Sequence, residues 1–176
     1  KFRERLEADV DVGQFVFFKV GNTDSKPFSV AANKDGLELL VRDVGPMTHR
    51  ACQLNVNDVV RIRGPYGHAF RLPEDRPVVL AGAGVGIAPI HHAAQIHPGP
   101  KRIFIGAVTA DELVYHDSFK ELGPTSVSTD DGSAGHHGYI SELVEKALAE
   151  EELPRLKAAL PKAESARLST SFSRSP

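Results

Sequence analysis

A small antiparallel β barrel followed by a parallel α/β unit is the fold class this sequence predicts, and three observations carry it. The first half holds short runs rich in β-branched and aromatic residues, separated by turn formers. From Pro77 onward, apolar runs alternate with helix-length segments, the rhythm of βαβ units and a parallel sheet. Where the two regimes meet, the chain reads VVLAGAGVGIAP over residues 78–89, an apolar strand run that turns through three alternating glycines.

The elements follow in order. Residues 13–20 (GQFVFFKV), 27–31 and 37–41 read as strands, parted by Gly21-Asn22 and by Lys34-Asp35-Gly36. Residues 46–54 read as a helical turn, with Pro46 at an early position and Thr48 near its start. Residues 58–63 make one more strand, and Gly64-Pro65-Tyr66-Gly67 reads as a turn. The charged, proline-containing LPEDR over 72–76 is the join. Beyond it come strand 78–81, helix 86–97, strand 102–107, helix 111–122, strand 125–129 and helix 139–150. The expected organisation is a barrel-like domain at 1–74, an α/β domain at 75–150 and a flexible tail at 151–176, where Pro154 and Pro161 interrupt a Ser/Arg-rich stretch. No internal repeat is visible.

Composition narrows the function classes. The 176 residues carry a formal net charge of −2, with a pI near 6.5, so there is no basic footprint for nucleic acid. No apolar stretch approaches the roughly 20 residues of a membrane span. The single cysteine, Cys52, excludes an internal disulfide and an iron–sulfur cluster held by four thiolates of this chain, and points to an intracellular compartment. With no base beside it, Cys52 reads as an inert buried thiol. The adjacent pairs His91-His92 and His136-His137 suggest a metal at first sight. Neighbours on a helix point about 100° apart, however, and no HExxH supports a metal, so none is expected.

The glycine turn is the first sign of a ligand. A strand that enters a helix through Gly82, Gly84 and Gly86 lets backbone N–H groups approach a phosphate. The third glycine comes two residues after the second, so Ile87 stands where G-x-G-x-x-G has its last glycine. The turn also lacks the Lys-Ser/Thr ending of a P-loop. A tight turn with no ligand remains open on this segment alone.

Four further segments stand in order around it: Lys26-Pro27-Phe28-Ser29, Gly45-Pro46-Met47-Thr48, Gly64-Pro65-Tyr66-Gly67 with Phe70, and Ser128-Thr129-Asp130-Asp131-Gly132-Ser133 followed by Gly135 and Gly138. Together, from about residue 13 to 148, they resemble the ferredoxin–NADP reductase-like superfamily of FAD- and NAD(P)-binding oxidoreductases. The acidic segment resembles the branch that holds the electron-transfer subunit of dihydroorotate dehydrogenase and the flavin subunits of some hydrogenases.

That resemblance implies roles. The barrel becomes an FAD-binding domain, with Phe28 packed on the flavin ring, the Ser29 hydroxyl near its reactive nitrogen as the catalytic candidate, and Pro27 before them in the same cofactor-binding segment. Lys26 stands where the family has arginine for the pyrophosphate; it supplies a point charge without the bidentate fork. Gly45 and Thr48 match the family's phosphate turn, though Gly-Pro-x-Thr is equally an ordinary helix start. In the α/β half, Gly82, Gly84, Gly86 and Thr129 lie toward a nicotinamide dinucleotide. Asp130 and Asp131 suit ribose hydroxyls and repel a 2′-phosphate, so NAD(H) is expected over NADP(H); an Asp-Asp-Gly-Ser turn without ligand is the other reading. The family's later Cys-Gly-Pro segment and cysteine cluster have no counterpart after Glu150, and only twelve residues precede the strand at 13–20. A shortened member or a part of one is therefore expected, without the segment that helps place the nicotinamide for catalysis in the family. The implied function is a flavin-dependent NAD(P)H oxidoreductase module that hands electrons to a protein partner or larger complex. Its rival is a non-catalytic structural or assembly subunit that retains a degenerate reductase fold.

Overall fold

The computed structural model describes residues 9–149. The expected tail at 151–176 lies outside the described residues, as do residues 1–8.

In the first half β1 (Phe15–Val20), β2 (Lys26–Ala32), β3 (Glu38–Leu39) and β4 (Val60–Tyr66) form a four-stranded antiparallel sheet in the order β3-β2-β1-β4. The alternation of β1 explains its place: Val16, Phe18 and Val20 are buried while Phe15, Phe17 and Lys19 lie half-buried on the other face. Val16 packs with Val10, Val30 and Leu37, and Phe18 with Val20 and Met47 of α1 (Pro46–Cys52). The barrel expected from the sequence is thus barrel-like in its strands, with β3 and β4 at the two edges of the sheet.

The second half is the parallel sheet the βαβ rhythm predicts. β5 (Val78–Ala83), β6 (Lys101–Ala107), β7 (Thr125–Thr129) and β8 (His136–His137) lie in that order, all parallel. α2 (Ile87–Ile96) covers one face, where Ile87, Ala93 and Ala94 meet Leu80, Ile103, Ile105 and Phe119 of α3 (His116–Leu122). α4 (Ile140–Ala149) lies on the other face, with Ile140 over Gly106. α2 also packs against β2 and so joins the two sheets.

Several expectations need correction. The strand at 37–41 shrinks to Glu38–Leu39, because β3 pairs only with Val30 and Ala32, and the neighbouring stretch of β2 carries Pro27, which has no ladder donor. Gly64 and Pro65 lie inside β4 instead of forming a turn; β4 is an edge strand whose register against β1 shifts between Phe15 and Phe17, a place where Gly and Pro are tolerated. The helix at 86–97 begins with a 3-10 turn, Gly84–Gly86. The helix at 111–122 splits into a 3-10 turn, Ala110–Glu112, and α3, with Tyr115 between them at φ 59°. The Tyr115 hydroxyl donates to Glu38 at 2.7 Å and its ring stacks on His91 at 4.1 Å, contacts that hold the chain out of helix there. The short strand β8 is an addition. Cys52, expected buried, is exposed at the solvent-facing end of α1.

The histidine pairs do different work. His91 is buried; its Nδ1–H donates to the Ala31 carbonyl at 3.0 Å and its Nε2 accepts from the Ser118 hydroxyl at 2.8 Å, tying β2, α2 and α3 together. Among the described residues no group of three or more His, Cys, Asp or Glu side chains converges as a metal site. No helix among them is long and apolar enough to cross a membrane.

Candidate functional site

A well-formed cavity follows from how β2 is paired. Lys26 to Ser29 pair with β1 along one edge only, because β3 begins its pairing at Val30. The other edge of those four residues is free, and a cavity of about 670 Å³ opens there, within the usual range for small-molecule sites. Successive strand side chains point to opposite faces, yet Lys26, Pro27, Phe28 and Ser29 all line it, as residues at an open strand edge can. Gly45 and Thr48 line it from α1, Val85 and Ala88 from the α/β half, and Arg42 from the segment after β3.

The chemistry of each lining residue is specific. Phe28 meets Phe18 edge to face at 5.7 Å, which fixes its ring from behind. The Ser29 hydroxyl is half-buried and meets no protein partner among the described residues, so its donor and acceptor are both available. Lys26 is exposed and lies 4.0 Å from Asp24, a loose pair. Thr48 is committed to its own turn: Oγ1 accepts the N–H groups of Val44 and Gly45, each at 2.9 Å, and donates to the Gly45 carbonyl at 3.0 Å. It thereby shapes the start of α1, where the helix cannot satisfy the N–H groups of Met47 and Thr48 itself.

At the carboxyl ends of the parallel strands the three glycines have three causes. A Cβ on Gly82 would lie 2.9 Å from Ile90 Cγ1 and 3.0 Å from the Gly86 carbonyl oxygen, so helix packing demands that glycine. Gly84 takes φ +53°, which permits the turn itself. A Cβ on Gly86 would meet nothing within 4 Å, so its surface is open to a ligand. Beyond β7, Thr129 is fully buried, and its hydroxyl accepts from and donates to the Ala134 backbone at 2.9 Å in each direction. Asp131 is likewise occupied: its carboxylate accepts the Ser133 hydroxyl at 2.5 Å and the Ser133 N–H at 3.0 Å. Those two bonds hold the Asp131 carboxyl below the usual carboxylate range. The Ser133 hydroxyl in turn accepts the Ala110 N–H at 2.8 Å, which anchors the loop to the segment after β6. Asp130 stands exposed beside it, with its backbone N–H on the Ala107 carbonyl.

One charged cavity residue escaped the sequence reading. Arg42 lines the large cavity and also a smaller one of about 170 Å³ that it shares with Gly84, Val85 and Glu112. Its Nη2 donates to Glu112 Oε1 at 2.9 Å, across from the first half to the second. The signal available was the lysine at position 26, which leaves a fork-shaped cation missing from the pattern.

Comparison with known proteins agrees with this fold. No protein-family model matches the chain. A protein of Pyrococcus abyssi described as a probable dihydroorotate dehydrogenase B (NAD(+)) electron transfer subunit is 35% identical over 151 residues, 85% of this chain and 59% of that protein. The solved structure of an NADH-dependent reduced ferredoxin-NADP oxidoreductase, studied for flavin-based electron bifurcation, superposes with a TM-score of 0.71 at 30% identity, over 81% of this chain and 55% of that one. The flavohem-like FAD/NAD binding domain of nitric oxide dioxygenase from Vibrio cholerae shares the fold, with a TM-score of 0.65 at 20% identity over 89% of this chain and 83% of that one. The chain spans less than two thirds of the length of the curated relatives it matches.

Proposed function

We propose that this chain, a member of the ferredoxin–NADP reductase-like superfamily of FAD- and NAD(P)-binding oxidoreductases, is a flavin-dependent electron-transfer module working between NADH and a partner protein. The observation that carries the reading is the cavity at the free edge of β2. It gathers an aromatic ring, an uncommitted hydroxyl and two cations at one place.

The residues fit FAD. Phe28, braced by Phe18, offers a ring face to the isoalloxazine, and the Ser29 hydroxyl donates to or accepts from its nitrogens. Lys26 provides charge for the pyrophosphate, and Arg42 supplies the planar fork that Lys26 lacks. The turn built by Gly45 and Thr48 presents backbone N–H groups to a phosphate. When bound, FAD would supply hydride-accepting and single-electron chemistry, with Phe28, Ser29, Lys26 and Arg42 holding it and Gly84 and Gly86 leaving backbone open for the nucleotide. Asp130, rather than the turn-bound Asp131, is the acceptor for the adenosine ribose, and that favours NADH over NADPH. Relatives described as electron transfer subunits support a protein partner.

Equilibrium titration with FAD, followed by flavin fluorescence, tests the assignment. Wild type should bind, and Phe28→Ala should bind about tenfold more weakly, equivalent to about 1.4 kcal/mol. Because Phe28 also packs on Phe18, Ser29→Ala serves as the second variant; it should retain wild-type stability and bind several-fold more weakly. A wild-type chain that takes up no flavin would defeat the proposal in favour of a structural subunit that keeps only the fold.

A further inference from the structure

The geometry points to the Arg42–Glu112 ion pair as a coupling element between the two cavities, with Glu112 the positioning residue for the Arg42 guanidinium. The inference rests on reading the larger cavity as the flavin site. Arg42 follows β3 in the first half; Glu112 closes the 3-10 turn after β6 in the second. Arg42 is part of the wall of both cavities, while Glu112 lines only the smaller one, next to Gly84 and Val85 of the glycine turn. The two cavities also share Leu40 and Val85, so the 2.9 Å bond stands at the wall between two neighbouring cavities.

The strength of this partition decides what it can do. The side chains are 54% and 38% exposed, so the pair is worth about 0–1 kcal/mol. Glu112 takes one donor of a fork that has five. A diphosphate in the large cavity offers bidentate charge-assisted bonds and more negative charge, against the single bond from Glu112, and drawing the planar fork to face it turns Nη2 away from Glu112. When Arg42 turns toward that anion, the Glu112 carboxylate is released into the smaller cavity. There it becomes an acceptor for the hydroxyl donors of a nucleotide seated on Gly84 and Val85. With the large cavity empty, Arg42 stays in the wall and the carboxylate stays occupied. Flavin occupancy therefore strengthens nucleotide binding, and by reciprocity the nucleotide strengthens flavin binding by the same factor.

The test is calorimetric titration of NAD⁺, which cannot reduce oxidised flavin, into flavin-free and FAD-loaded protein. Wild type should bind NAD⁺ up to about fivefold more tightly when FAD is present, the ceiling set by an exposed ion pair. In Glu112→Gln and in Arg42→Gln the NAD⁺ affinity should be the same in both states. In wild type the factor should shrink at about 0.5 M salt, where exposed charges are screened. A residue that merely stabilises the fold would lower both affinities and leave their ratio intact, so the ratio is the deciding readout. Equal NAD⁺ affinities in wild type, or a full factor surviving in Glu112→Gln, would overturn the coupling while leaving flavin binding untouched. Absence of FAD binding by wild type would instead overturn the assignment of the cavity, and the coupling with it.

Discussion

His92 is 4% exposed within α2, and its Nδ1 meets no partner among the described residues. Burial is the main force that pushes its pKa down from the ordinary 6.5; the neighbouring His91 adds to this and Asp11 opposes it. The folded state thus keeps His92 neutral, whereas the unfolded chain protonates it as pH falls through about 6.5. A group whose folded pKa is depressed contributes stability that is present above the unfolded value and is lost as pH drops toward the folded one. Wild type should therefore lose thermal stability between pH 7.5 and pH 5.5, and His92→Gln should lose less over the same interval. Tm measured at both values in both proteins checks this; parallel slopes would show that other groups carry the acid sensitivity.

At the scale of the element, the loop between β7 and β8 separates two adjacent carboxylates that the sequence presents as equals. Asp131 is bound by Ser133, which is bound by the Ala110 N–H; Asp130 is exposed to solvent. On the proposed reading, in which Asp130 is the acceptor for the adenosine ribose, Asp130→Ser should narrow a preference for NADH over NADPH with little effect on stability, because it removes the carboxylate that would repel a 2′-phosphate. Asp131→Ser should lower Tm by loosening the loop and should weaken both cofactors alike. Calorimetric titration of the two cofactors against each variant distinguishes the roles, and equal preference shifts in both would show that the loop acts as a unit. The sequence could announce the pair but not the division of labour, since the bonds to Ser133 and Ala110 exist only in three dimensions. The same limit explains the other differences. The strand-to-helix turn at Gly82–Gly86 was legible because its cause is local, an apolar strand run meeting glycines. The break at Tyr115 was not, because what holds it is Glu38, which lies 77 residues away. Arg42 was missed for the same reason, since Glu112 is 70 residues along the chain. β8 is only two histidines with no alternating pattern, and it exists through pairing with Ser128 and Thr129. By contrast, Lys26, Pro27, Phe28, Ser29, Gly45 and Thr48 do line one cavity, because a strand edge and the helix start beside it are short-range features.

Across the whole molecule, three specific side-chain contacts tie the β2–β3 region of the first sheet to α2, the start of α3 and the 3-10 turn after β6 in the second half. His91 bonds the Ala31 carbonyl and Ser118, Tyr115 stacks on His91 and donates to Glu38, and Arg42 pairs with Glu112. These contacts differ in kind. The ion pair is exposed and can open without cost to the fold, while His91 and Tyr115 form a largely buried clamp, in which burial and the Glu38 carboxylate hold the Tyr115 hydroxyl well above its ordinary pKa and therefore protonated as a donor. A molecule joined in this way should unfold as one unit. Hydrogen exchange should report the same opening free energy at the Phe18 amide in β1 and the Ile105 amide in β6, since both lie in cores that the clamp holds together. Tyr115→Phe removes the donor to Glu38 and should cost about 1–2 kcal/mol, at the low end for a bond to a charged group because Glu38 is partly exposed. It should lower both amides together. A variant in which only one amide loses protection would mean that the halves are separately stable and merely touch, and that His91 and Tyr115 orient them without joining their cores.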